Sequence, residues 1–156
     1  MLHKTSRNAF TMIELIFVII VIGILATIAI PRFAGVSEQA VIASGRSDVM
    51  SIRTAISTER QKRFMKGDSS YINHLDGNAT AAPGVGASIF DNNGISTNKL
   101  LTYGITTKNA DGGWMKTNTD EYTYYVSGTP NVFYYNATDG NFSCISGTGY
   151  CDKLTK

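Results

Sequence analysis

Apolar and polar positions divide this 156-residue chain into three stretches. From Phe10 to Pro31 it reads FTMIELIFVIIVIGILATIAIP, with no charged residue between Glu14 and Arg32. As a helix that run would be about 33 Å long, close to the bilayer core of about 30 Å. After Pro31-Arg32-Phe33 the pattern changes to an amphipathic one. Ile42, Val49, Ile52 and Ile56 recur at spacings of seven, three and four, and with Gly45 they form one stripe. Arg46, Asp48, Arg53, Glu59 and Arg60 are expected to lie mostly off it. Arg60, Lys62, Arg63 and Lys66 crowd the end of the pattern, where cations favour the helix dipole, and Gly67 is a stop signal. One helix from Phe10 to about Met65 would be about 84 Å long. The Ile42–Ile56 stripe should pack on something in the polar part of the chain.

From Gly67 onward Gly, Asn, Thr, Ser and Asp dominate, interspersed with aromatics. The stretch from Asp68 to Asn98 reads as loop, with turn signals at Asp76-Gly77, Pro83-Gly84 and Asn93-Gly94. A short helical turn is expected around Asn98–Tyr103. Four strand-like runs follow: Trp114–Thr117, Glu121–Ser127, Val132–Asn136 and Asn141–Ile145. Thr129-Pro130-Asn131 is expected to join two of them, and Asp139-Gly140 to close a hairpin. Alternation puts Tyr122, Tyr124 and Val126 on one face and Tyr125 on the other. The expected architecture is α+β, with a long N-terminal helix whose stripe is covered by a small antiparallel sheet. The Tyr- and Phe-rich strands admit two readings, a stacking platform for nucleic acid or core packing across strands. No basic cluster lies among them, which favours packing and predicts no nucleic-acid partner for this region. Trp114 is read as packing and His74 as surface.

Composition adds contrast rather than chemistry. Charged residues are 17% and apolar residues 43%, which rules out disorder as a whole and a polytopic membrane protein. The net charge of +2 is too small to argue for nucleic acid. Two cysteines and two histidines, His3 and His74, do not make a zinc site, and no cofactor is expected. No nucleophile–base–orienter set, phosphate loop or paired carboxylates are brought together by the sequence, so an enzyme is not expected. Charge is nonetheless uneven. Positions 32–66 hold seven basic and three acidic residues, and positions 67–156 hold five and eight. Without the first nine residues, which carry Lys4 and Arg7, the chain has 12 of each sign.

Lys4 and Arg7 on the short flank predict a cytoplasmic N-terminus and a single-pass anchor. Three readings of the segment compete: a signal peptide cut after a small residue such as Ala29, a plain signal anchor, and one that accounts for Glu14. The apolar run from Leu15 to Ile30 is long for a signal-peptide core. Ala9-Phe10-Thr11-Met12-Ile13-Glu14 resembles the processing motif of type IV pilins and type II secretion pseudopilins. That motif has a short basic leader, a small residue at the cut, an aromatic first mature residue and Glu fifth in the mature chain. Ala9 stands where the family usually has Gly. The resemblance covers about a third of the chain. It implies cleavage between Ala9 and Phe10 by a prepilin peptidase, then N-methylation of Phe10. It implies a homo-oligomeric or mixed filament, built by an inner-membrane assembly platform from subunits held in inner-membrane lipid. The head would lie in the periplasm, and the filament in the periplasm or outside the cell.

A carboxylate inside a membrane helix costs about 2.5–3.5 kcal/mol on insertion scales, so Glu14 needs a partner. The resemblance implies the freed amine of Phe10 on a neighbouring subunit, a pairing that would set assembly register. The alternative is a capping box, since Thr11-Met12-Ile13-Glu14 fits S/T-x-x-E. Gly23 and Pro31 interrupt the helical pattern, and the resemblance implies that the helix between them can unwind in a filament. The expected organisation is a leader over 1–9, a membrane and assembly helix over 10–31, an amphipathic half over 32–66, and a β-rich head over 67–156. In an exported head Cys144 and Cys151 would form a disulfide. Such a C-terminal loop resembles that of type IV pilins, whereas many major pseudopilins carry a calcium-binding loop there. Asp139 and Asp152 do not make a convincing calcium set. Asp76-Gly77-Asn78-Ala79-Thr80 and Asp139-Gly140-Asn141-Phe142-Ser143 resemble the acid-extended N-glycosylation sequon of some bacteria. The expected function is a filament subunit serving type II secretion, a surface pilus or DNA uptake. The alternative is a monomeric, membrane-anchored binding module.

Overall fold

The structure, a computed structural model, describes residues 10–76, 83–91, 100–146 and 149–156. It divides into two units, 1–37 and 38–156, and the boundary falls within the first helix. That helix, α1, is continuous from Met12 to Met65. In the first unit, every residue from Phe10 to Ile28 is exposed. The apolar composition of that run therefore serves no internal core.

In the second unit, α1 ends where its sequence says it should. Gly67 adopts φ +84°, a left-handed conformation that costs glycine nothing. Its N–H bonds the Phe64 carbonyl at 3.0 Å, and the Asp68 N–H reaches back to the Arg63 carbonyl at 3.0 Å. This pair of bonds satisfies carbonyls that the helix end would otherwise orphan.

The head carries two sheets. β1 (Ser88–Ile89) pairs antiparallel with β2 (Ile105–Thr106). The larger sheet is an antiparallel meander of β3 (Trp114–Lys116), β4 (Glu121–Val126), β5 (Thr129–Asn136) and β6 (Asn141–Ser146). A short helix, α2 (Cys151–Thr155), closes the chain. Ile42, Val49, Ile52 and Ile56 of α1 are buried in one cluster with Trp114, Tyr122, Tyr124, Val126, Phe133, Tyr135 and Phe142. The stripe is thus covered by the four-stranded sheet, as its period implied. The Tyr122–Phe133 and Tyr135–Phe142 cross-strand pairs are all buried, so these rings offer no stacking platform.

Several local expectations are corrected. The β4–β5 connection is Ser127-Gly128, not Thr129-Pro130-Asn131. Both turn residues have positive φ, +49° and +71°, which matches the twist of a two-residue hairpin. Pro130 sits inside β5 opposite Tyr125. Among the described residues β6 pairs with β5 only as far as Val132, so none of them needs the N–H that Pro130 lacks. The β5–β6 connection is the four residues 137–140, closed by the Asn136–Asn141 pair, rather than Asp139-Gly140 alone. The helical turn expected around Asn98–Tyr103 is not formed over 100–103, and Asn98 lies outside the described residues. So do Gly77 and the Asn93-Gly94 turn signal.

The stretch read as loop after Asp68 supplies core. Ile72, Leu75, Ile89 and Phe90 are buried, and Phe90 holds φ +63° while its ring packs 4.5 Å from Tyr122. Glu59, expected off the stripe, is a correction to it. It is buried, because it continues the three-and-four spacing after Ile56. Its carboxylate is met by Lys62 at 3.6 Å and Arg63 at 3.7 Å, one turn further along α1.

Candidate functional site

The candidate assembly site is the exposed start of α1. Thr11 Oγ1 accepts the backbone N–H of Glu14 at 3.3 Å, which is half of a capping box. Among the described residues the Glu14 carboxylate has no ion pair, although it lies in the first helical turn, where the dipole favours an anion. Phe10, the expected first mature residue, is 74% exposed just before the helix. Ala9, and with it the expected cleavage junction and the leader, lies outside the described residues.

Gly23 and Pro31 are both helical. Nothing lies within 4 Å of a Cβ built on Gly23, so no packing explains its glycine. Pro31 has no N–H for the Thr27 carbonyl. The Thr27 hydroxyl bonds the Ile24 carbonyl at 2.7 Å, a contact that competes with the helix ladder nearby.

The head is fixed to the amphipathic half of α1 by polar contacts as well as the stripe. Arg46 and Arg53, two turns apart, reach two different elements of the head. Arg46 Nε and Nη2 donate to the Lys153 carbonyl of α2 at 3.0 and 2.7 Å. Arg53 Nε donates to the Phe142 carbonyl of β6 at 3.0 Å. Tyr124 donates its hydroxyl to the Val41 carbonyl at 2.7 Å, and Trp114 Nε1 donates to Asp48 Oδ2 at 2.9 Å. Partial burial holds the Asp48 carboxyl above its ordinary value of 3.8, against the opposing pull of the Trp114 hydrogen bond. Burial likewise pushes the Tyr124 phenol up to about 12. Gly45 lets the Tyr124 ring and Leu154 approach the helix backbone closely.

Cys144 of β6 is joined to Cys151 of α2. The bridge holds the chain end where Leu154 is fully buried. Closing so short a loop stabilises by about 2–3 kcal/mol in the chain-entropy account. His74 is exposed and its Nδ1 lies 3.0 Å from Asp120. No group of three metal-ligating side chains exists among the described residues, so neither Asp139 nor Asp152 belongs to one.

One polar cluster escaped sequence reasoning. Lys116 is buried, with Nζ 2.7 Å from Asp76 Oδ1, and Tyr122 donates its hydroxyl to Asp76 Oδ2 at 3.0 Å. The signal was available, because Trp114-Met115-Lys116 is a strand and period two puts Lys116 on the face of Trp114. In the sequence Asp76 reads as a turn signal and as part of a sequon-like segment, and neither points to Lys116.

A long N-terminal helix with an exposed apolar start and a later stripe covered by a small antiparallel sheet defines a pilin-like fold. The model of the prokaryotic N-terminal methylation motif matches residues 4–30. Three curated relatives align over about half of the chain. The type IV major fimbrial protein FimA of Dichelobacter nodosus is 37% identical over 84 residues, 50% of this chain and 53% of its own. The type IV narrow pilus major component PilA5 of Thermus thermophilus is 36% identical over 77 residues, 48% of this chain and 66% of its own. A fimbrial protein of Moraxella nonliquefaciens is 36% identical over 80 residues, 51% of this chain and 47% of its own. The chain therefore spans about half to two thirds of the length of these relatives. No solved structure gives a significant match. In its motif, its fold and these relatives, the chain is similar to type IV pilins.

Proposed function

We propose that this chain is the structural subunit of a type IV pilus-like filament, with no enzymatic activity of its own. The observation that carries the reading is the run from Phe10 to Ile28, apolar and wholly exposed, with a carboxylate at Glu14 that has no ion pair among the described residues. Before assembly that surface is covered by inner-membrane lipid, with the head in the periplasm. After assembly it is covered by the same helix of neighbouring subunits. The named relatives are pilus and fimbrial components, which favours a surface pilus over a type II secretion pseudopilus or a DNA-uptake filament.

In this reading residues 1–9 are a leader that prepilin peptidase removes between Ala9 and Phe10, and the new Phe10 amine is methylated. Residues 10–31 form the membrane and assembly helix, 32–66 its amphipathic half, and 67–156 the head. Glu14 pairs with the Phe10 amine of an adjacent subunit. Leaving one partner of a buried ion pair alone costs about 3–5 kcal/mol, so a misplaced subunit is disfavoured steeply. Gly23 and Pro31 let the helix between them loosen as the assembly platform draws subunits into a fibre. The basic 32–66 region and the acidic head give neighbouring copies complementary surfaces.

Glu14→Gln tests the pairing. It preserves the Thr11 cap, because Thr11 bonds the backbone N–H of position 14 rather than its side chain. The variant should accumulate in the membrane at the normal level and yield no sheared filaments. Filaments at the normal level from Glu14→Gln would refute charge pairing.

A further inference from the structure

Two stretches, Asp76–Thr80 and Asp139–Ser143, carry a motif that neither the fold nor the assembly helix accounts for. Of the eleven asparagines, three are followed two residues later by Ser or Thr: Asn78, Asn136 and Asn141. An N-x-S/T tripeptide in an exported chain is an N-glycosylation acceptor. Asn78 and Asn141 also have Asp two residues before them, the added feature of the acid-extended bacterial sequon.

The structure distinguishes the three. Asn78 lies outside the described residues, and its flanking Asp76 is committed to the core by Lys116 and Tyr122. Asn136 has Tyr134 in place of the acid, is only partly exposed, and spends its side-chain oxygen on the Thr138 N–H at 3.0 Å. Asn141 and Asp139 are both exposed at the end of the β5–β6 hairpin. Asn141 is the first residue of β6, which is an edge strand of the four-stranded sheet. Asp139 Oδ1 accepts the backbone N–H of Asn141 at 2.9 Å, so the contact does not consume the Asn141 carboxamide. Phe142, between Asn141 and Ser143, is buried, so an enzyme reads the stretch while the start of this edge strand is open. Once β6 has closed, a sugar on Asn141 projects from an exposed position and displaces no core side chain.

We propose that Asn141 is an N-glycosylation acceptor, with Ser143 and Asp139 as its recognition residues and a lipid-linked oligosaccharide as the donor. The bond from the sugar's anomeric carbon to the pyrophosphate oxygen breaks, and a bond from that carbon to Asn141 Nδ2 forms. The lipid pyrophosphate leaves with the electron pair, and one amide proton is lost. The proposal rests on export of the head beyond the inner membrane.

The test is the full chain produced in cells that carry an acid-requiring bacterial oligosaccharyltransferase and its lipid-linked oligosaccharide. Peptide mass mapping should place one glycan on the peptide holding Asn141. The glycan should vanish in Asn141→Gln, fall at least tenfold in Asp139→Ala, and persist in Asn136→Gln. Protease treatment of spheroplasts reports export separately. A head that protease digests but that carries no glycan on Asn141 overturns the proposal and leaves the export reading intact. A glycan of undiminished yield in Asp139→Ala, or one found on Asn78 alone, also overturns it. A head protected from protease overturns export and this proposal together.

Discussion

Gly45→Ala probes the closest approach between head and helix. A Cβ built there would lie 2.7 Å from Tyr124 Cζ and 2.8 Å from Leu154 Cδ2. Carbon pairs prefer about 3.5–4.0 Å, so either the ring and α2 shift or the helix gives way. Overpacking of this kind costs about 1–3 kcal/mol, offset by about 1 kcal/mol because alanine is the better helix former. A net loss centred on about 1 kcal/mol should lower the unfolding midpoint of the head by about 4–8 °C. Trp114 reports this directly. It is the one tryptophan in the chain, and its ring packs 4.9 Å from that of Tyr124. The assay is thermal unfolding of the detergent-solubilised chain followed by Trp114 fluorescence. Gly35→Ala is the matched control, since nothing lies within 4 Å of a Cβ there, and it should hold or raise the midpoint. A Gly45→Ala midpoint equal to or above that of Gly35→Ala would refute the close packing of Tyr124 and Leu154 on α1.

Other predictions concern the buried charges. Lys116→Met strands Asp76 in the core and should destabilise the head by about 3 kcal/mol in urea unfolding; an unchanged midpoint would show the pair to be solvated. Asp48 has a raised folded pKa, so its contribution is present below about pH 3.8 and lost as pH rises through the raised value. Asp48→Asn keeps an acceptor for Trp114 without the charge. It should melt above wild type at pH 7, with the gap closing toward pH 4; a lower midpoint at pH 7 would contradict that sign.

Periodicity alone located the long helix, its buried stripe and four strands, because each rests on a repeating local preference. The Ile42–Ile56 stripe is such a case, and the single stop signal Gly67 likewise lies where the helix ends. What escaped depends on partners distant in sequence. Lys116 and Asp76 are 40 residues apart, and Arg46 and Lys153 are 107 apart. No local pattern announces either pair. The turn at Ser127-Gly128 was missed because Thr129-Pro130-Asn131 is the stronger turn sequence, yet its proline fits a strand position that no described residue of β6 pairs with. Glu59 was assigned to the solvent face on charge, while its spacing from Ile56 already placed it on the buried stripe. The proposed assembly role of Glu14 depends on a partner as well. A single chain shows Glu14 exposed in the first turn of α1, but its proposed partner belongs to another subunit.

The filament reading stands or falls on the mature N-terminus of the assembled chain. Filaments sheared from cells, digested and analysed by mass spectrometry, should contain this chain with N-methylated Phe10 as its first residue. A chain confined to the membrane fraction with Met1 intact would contradict the account.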